Sequence, residues 1–267
     1  NAALSMRKEK NMEKKITLKN ANGENLCVET FTPETVKGSI VFCHGITGCR
    51  KGRTMEDDYF QILARKLMGL GYKTILFDFS GHGESEGQDL DVCLSKSTDE
   101  LRQVFSAEVT DPIGVKFLAF SYGATVLANF LKEEPLVVPA KIVLYSPCFY
   151  PLESCFLNTK SIFGKDIVRA VETGDMESNG FAVVGAKNFR FGAKMLEECQ
   201  SFSPDIFKKF SDRTVVFSGS QDVILDPAYN ERFCTKNGIP LQYFDASHSL
   251  YEDIDSVFSA TITFLEG

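Results

Sequence analysis

An α/β chain built on a mostly parallel sheet is what the sequence predicts, and three observations predict it. Short apolar runs alternate with helix-like stretches along most of the 267 residues, the pattern of repeated strand–helix–strand units. One run, Val115 to Phe120, passes through Ser121 straight into a helix-like segment opened by Gly123. Asp222 and His248 each follow an apolar run, at the end where open α/β sheets gather their functional groups.

The elements follow in order. Glu13 to Asn20 and Leu26 to Thr32 flank Asn22-Gly23, a pair suited to a tight turn, and read as an opening antiparallel hairpin. Ser39 to Cys43 is a buried strand, and a second strand ends at Asp78. Between them a helix spans Glu56 to Leu70, with Gly71 placed as a C-cap. A further helix covers Thr98 to Ala107. The run before Ser121 is a strand, the helix after it extends to Glu133, and Pro135 stops it. Strands at Lys141 to Pro147, Thr214 to Gly219 and Leu241 to Asp245 complete the sheet, with helices at Pro227 to Lys236 and Tyr251 to Leu265. The alternation breaks between Pro147 and Thr214. Residues 1–147 and 211–267 therefore form one body, and 148–210 an insertion. The insertion holds Phe149, Phe156, Phe163, Phe181, Phe189, Phe191 and Phe202. Within it, Phe181 to Phe191 reads as a hairpin and Ala193 to Cys199 as a short helix.

Composition narrows the function classes. A net charge of −7 argues against a nucleic-acid partner, which needs a concentrated basic surface. The one basic cluster, Arg7, Lys8, Lys10, Lys14 and Lys15, is interrupted by Glu9 and Glu13 and reads as a solvated tail. No apolar stretch approaches the roughly 20 residues of a membrane span, and the N-terminus lacks the apolar core of a signal peptide. Both point to the cytoplasm. The eight cysteines are irregularly spaced without a C-x-x-C pair, which argues against a zinc site and reads as buried thiols, with a Cys43–Cys49 pair left open.

The chemistry concentrates on Ala119-Phe120-Ser121-Tyr122-Gly123. A sharp strand-to-helix turn would lift the Ser121 hydroxyl above the sheet, and the cramped turn needs small residues two before and two after it. A serine hydroxyl is a weak nucleophile until a base takes its proton. Of the three histidines, His44, His82 and His248, only His248 follows Ser121, with a carboxylate candidate between them. Asp222 lies just past a strand. Asp226 precedes Pro227 and reads as a helix cap, and Asp245 ends its strand too early. Gly83-Glu84-Ser85-Glu86-Gly87 matches G-x-S-x-G letter for letter. No buried strand runs straight into it, and its two glutamates would disfavour a developing oxyanion. Ser85, His82 and Asp78 therefore read as loop-shaping residues.

Taken in order, these motifs resemble the α/β-hydrolases, and the chain is similar to serine esterases and peptidases with one compact cap. The resemblance spans about residues 38 to 265. His44-Gly45-Ile46-Thr47-Gly48 resembles the family's oxyanion loop, and Asp78 to Ser85 a common family signature. It implies an eight-stranded, mostly parallel sheet with helices on both faces and a small cap. It also implies catalysis by Ser121, Asp222 and His248, with the Ile46 and Tyr122 backbone N–H groups as the oxyanion hole. The insertion looks like the cap of bacterial esterases that cleave hydroxycinnamate esters, which places His44, Phe149, Phe189 and Phe191 at the substrate. His44 has a competing role in fixing the oxyanion loop. The expected substrate is a small ester with an apolar or aromatic acyl group. A thioester is the closest rival, a peptide or C–C bond a more distant one, and no cofactor or metal is expected. A non-catalytic binding module would have no need of all three polar side chains.

Overall fold

A computed structural model describes residues 12–267. The chain opens with a hairpin, β1 (Met12–Lys19) and β2 (Asn25–Thr32), and continues through β3 (Gly38–Cys43), α1 (Tyr59–Gly69), β4 (Tyr72–Phe77), α2 (Leu94–Glu108) and β5 (Lys116–Phe120). After the turn at Ser121 come α3 (Tyr122–Glu133) and β6 (Lys141–Tyr145). The body resumes with β9 (Thr214–Gly219), α7 (Pro227–Asn237), β10 (Leu241–Phe244) and α8 (Ile254–Glu266). Eight strands form one sheet in the order β1-β2-β4-β3-β5-β6-β9-β10, parallel from β4 to β10 and antiparallel where β2 meets β1 and β4. This is the α/β-hydrolase fold.

Alternation along the strands builds two cores. Val41, Phe117, Ala119, Ile142, Leu144 and Val216 point to one face, where α2 and α3 cover them. Ile40, Phe42, Leu118, Val143, Tyr145 and Phe217 point to the other, against α1 and α8. The central strands are therefore apolar on both sides and read as unbroken apolar runs.

Boundaries shift where tertiary contacts intervene. The first helix begins at Tyr59 rather than Glu56, because the Asp57 carboxylate accepts the Arg53 and Thr54 N–H groups in a preceding turn. The second begins at Leu94 rather than Thr98. Glu198, from the insertion, accepts the Ser95 N–H at 2.8 Å and serves the first turn as a remote cap. Of the basic cluster, Arg7, Lys8 and Lys10 lie outside the described residues. Lys14 and Lys15 belong to β1, where Lys15 pairs with Glu84, so they are strand rather than tail.

Residues 148–210 enter between β6 and β9. They comprise a π-helical turn (Pro151–Phe156), α4 (Ile162–Glu172), α5 (Asp175–Asn179), a separate hairpin of β7 (Phe181–Val184) and β8 (Phe189–Gly192), α6 (Ala193–Cys199) and a 3-10 segment (Pro204–Arg213). The hairpin and α6 match the sequence reading, but α4 and α5 were not anticipated. Gly164 inside α4 and Gly174 just before α5 interrupt the helical pattern.

Candidate active site

Ser121 stands at the carboxyl end of β5 with φ +52°, a strained backbone for a residue with a side chain. The turn is fixed by hydrogen bonds from Ser121 N–H to Tyr145 O (2.8 Å) and from Cys148 N–H to Ser121 O (3.2 Å). A Cβ on Gly123 would sit 2.3 Å from the Cys43 carbonyl oxygen, so the position two after the serine admits glycine alone. Ala119, two before it, is fully buried between Cys43 and Leu144 of the flanking strands, and its methyl packs in the core.

The histidine arrives on the loop after β10 and the carboxylate on the loop after β9. His248 Nε2 lies 2.9 Å from Ser121 Oγ, and His248 Nδ1 lies 2.7 Å from Asp222 Oδ2. Asp222 Oδ1 accepts the Ile224 and Leu225 N–H groups at 2.8 and 2.9 Å, which locks the carboxylate in place. These partners set the tautomer: Nδ1–H donates to the carboxylate, leaving Nε2 to accept the serine proton. The rival acids point elsewhere. Asp226 caps α7 by accepting the Ala228 N–H, and Asp245 accepts from Gln221 Nε2 at 2.7 Å.

Beside Ser121, Gly45 to Gly48 form a turn closed by Gly48 N–H to Gly45 O (3.1 Å). The Ile46 and Tyr122 N–H groups have no acceptor among the described residues. Tyr122 also opens α3, whose dipole favours negative charge at that end. His44 and His82 brace this loop from within. His44 Nδ1–H donates to Gly45 O and its Nε2 accepts the Phe79 N–H (3.0 Å). His82 Nδ1–H donates to Ser80 O and its Nε2 accepts the Thr47 N–H (3.3 Å). Burial pushes the His44 pKa down to about 4 and, with the neighbouring His44, the His82 pKa down to about 3. Both rings are neutral acceptors, and neither lines the cavity at Ser121.

Deeper in, the Arg50 guanidinium meets Asp78 Oδ2 at 2.5 Å, Glu29 at 3.2 Å and Glu84. Cys27, Asp78 and Glu84 group closely enough to hold an ion. The Arg50 side chain already supplies the positive charge there, so the donor set fits an ion pair and not a metal.

A cavity of about 310 Å³ opens on Ser121 and His248. Ile46, Phe120, Phe163, Val223 and Ile224 give it apolar walls, and among the described residues Arg53 and Lys187 are the lysine or arginine side chains that line it. Three of the rings expected at the substrate are not there. Phe149 packs 4.4 Å from Phe233, and Phe191 packs 4.6 Å from Phe156, both buried in the core that anchors the insertion. Phe189 packs against His82 at a tilt, ring centroids 5.4 Å apart, and lines a neighbouring cavity. His44 is equally enclosed. The insertion's ring in the cavity at Ser121 is Phe163, carried by α4, the helix the sequence pattern concealed. A larger groove, about 570 Å³, lies near Asn20, Asp91, Lys96 and Gln103 and holds none of these groups.

Fold and site geometry together place the chain in the α/β-hydrolase class. The serine aminopeptidase S33 family matches over residues 34–173, and the chain belongs to that family. The uncharacterized protein Rv2307c of Mycobacterium tuberculosis (strain ATCC 25618 / H37Rv) is 29% identical over 138 residues, 47% of this chain and 46% of that one. The match thus spans about half the length of its curated relative. Among solved structures, the α/β hydrolase GrgF from Penicillium sp. sh18 superposes with a TM-score of 0.68 at 14% identity, covering 96% of this chain and 98% of that one. The esterase EaEST from Exiguobacterium antarcticum (TM-score 0.67, 14% identity, 95% and 100% covered) is similar. So is Est1E from Butyrivibrio proteoclasticus, solved with ferulic acid bound (0.67, 15%, 94% and 97%). Among the described residues no helix is long and apolar enough to cross a membrane.

Proposed function

We propose that the protein cleaves carboxylic esters with an apolar or aromatic acyl group through an acyl-enzyme on Ser121. The observation that carries this is the unbroken hydrogen-bonded series Asp222–His248–Ser121 at the floor of an apolar cavity. His248 takes the Ser121 proton as the hydroxyl attacks the ester carbonyl, while Asp222 holds the ring and stabilises the imidazolium. The Ile46 and Tyr122 N–H groups receive the tetrahedral oxyanion. His248 then protonates the leaving alcohol, and water releases the acid by the same steps in reverse. Residues 148–210 act as the cap that supplies Phe163 to the acyl wall. The cavity is near the lower limit of ligand pockets, which suits one aromatic ring or a short chain.

The family's name raises peptide cleavage as a second reading. An aminopeptidase must hold a free α-ammonium, yet among the described residues no carboxylate lines this cavity and its two charged flanking groups are cations. That charge pattern favours the ester. The test is hydrolysis of p-nitrophenyl esters from acetate to palmitate, beside acyl-coenzyme A thioesters and aminoacyl p-nitroanilides, with Ser121→Ala as control. Ester turnover that peaks at short or aromatic acyl groups and vanishes in the variant is expected. Preference for the anilides or thioesters sinks the ester reading.

A further inference from the structure

The insertion grips the oxyanion turn through one side chain. Lys187 lies in the turn between β7 and β8, and its ammonium donates to the Thr47 and Arg53 carbonyls. The stem is exposed while the head is drawn onto main-chain oxygens. The turn that carries it is itself braced, because Gly185 N–H donates to Asp166 Oδ2 on α4 at 3.0 Å. The same helix brings Phe163 into the cavity.

Thr47 is a position that needs such support. It is the third residue of the Gly45–Gly48 turn, at φ +62°, a left-handed conformation costly for a β-branched residue. Such strain persists only where the surroundings over-determine it. Here the Thr47 N–H is held by His82 of the body and the Thr47 carbonyl by Lys187 of the insertion. Ile46, the oxyanion donor of the preceding section, is the residue just before it.

We propose that Lys187 is a positioning residue: by holding the Thr47 carbonyl it keeps the oxyanion turn presenting the Ile46 N–H, so that seating the insertion and completing the oxyanion hole are one event. This rests on the ester-hydrolase reading. Lys187→Met removes the donor and keeps the apolar stem, whereas Lys187→Arg restores a donor able to reach both carbonyls. With a short-chain p-nitrophenyl ester, the Met variant is expected to lose about five- to tenfold in kcat with KM little changed. Its inhibition constant for a trifluoromethyl ketone, which forms a hemiketal oxyanion on the serine, should rise by the same factor. The Arg variant should recover most of both, with thermal midpoints unaltered throughout. An unchanged kcat in the Met variant overturns the proposal. So does a change in KM alone, which would make Lys187 a substrate contact, or a loss that tracks thermal midpoint and ignores arginine. Wild type that neither turns over esters nor binds the ketone removes the hydrolase reading itself, and the proposal with it.

Discussion

Two serines sit in turns past the carboxyl ends of β4 and β5, which flank β3, and they have opposite fates. Ser85 matches G-x-S-x-G in every letter. Its hydroxyl donates to the Asp78 carbonyl at 2.6 Å and accepts the Cys27 N–H at 2.8 Å, so its proton is committed to a main-chain oxygen rather than to a base, and it ties its loop to β2. Gly83 beside it is required by the Asp78 carboxylate, which a Cβ would meet at 2.4 Å. Ser121 departs from the pattern at Ala119, yet its backbone is strained, its hydroxyl faces His248, and the Ile46 and Tyr122 N–H groups have no acceptor among the described residues. The proposed nucleophile is marked by its base and its strained turn, not by the letters around it.

The sharpest way to break this comparison is to exchange the losses. Ser121→Ala should lower kcat for p-nitrophenyl esters by about 10⁵- to 10⁶-fold, since loss of the nucleophile removes the covalent route. Asp222→Asn should cost about 10⁴-fold by favouring the wrong tautomer while the fold is preserved, as a circular-dichroism melt would check. Ser85→Ala should leave kcat near wild type and lower unfolding free energy by about 1–2 kcal/mol in urea titrations, the cost of an unpaired Cys27 N–H and Asp78 carbonyl. Loss of turnover in Ser85→Ala with Ser121→Ala still active would invert the assignment.

The most gradual effect concerns the loop that carries Ser85 and also His82. Its pKa is held down near 3, below the ordinary value of 6.5, so the unfolded chain binds a proton that the folded chain refuses. The stability associated with neutral His82 is complete above about pH 6.5 and lost as pH falls toward 3, at no more than about 1.4 kcal/mol per pH unit. His82→Gln retains an acceptor for the Thr47 N–H and removes the titration. The gap between wild-type and variant unfolding free energies should therefore narrow steadily from pH 6.5 to 4. A constant gap contradicts burial as the cause of the shift.

The sheet was legible because strands buried on both faces leave apolar runs that need no context, and turns such as Asn22-Gly23 punctuate them. Ser121, Asp222 and His248 were legible for a related reason: the order of strands fixes which loop ends meet. The walls of the cavity were not. Phe163 is hidden by Gly164, which interrupts a helix that depends on Ser161 for its cap. The nine insertion phenylalanines look alike in sequence, and only packing separates Phe149 and Phe191, sunk in core, from Phe163, which lines the cavity at Ser121. Lys187 and Arg53 gave no signal at all, because lone surface cations become informative only once their neighbours are known.

His44 and His82 have both ring nitrogens engaged and are shut away from solvent, whereas the His248 side chain remains 14% exposed at the cavity floor. Diethyl pyrocarbonate, which acylates accessible neutral imidazole, should therefore modify a single histidine of the folded chain, counted by its carbethoxyimidazole absorbance apart from lysine and tyrosine products. Any molecule lodged over Ser121 would shield that ring. The protein thus carries a built-in one-site reporter of cavity occupancy, usable for ligands that are never turned over and without attaching a label.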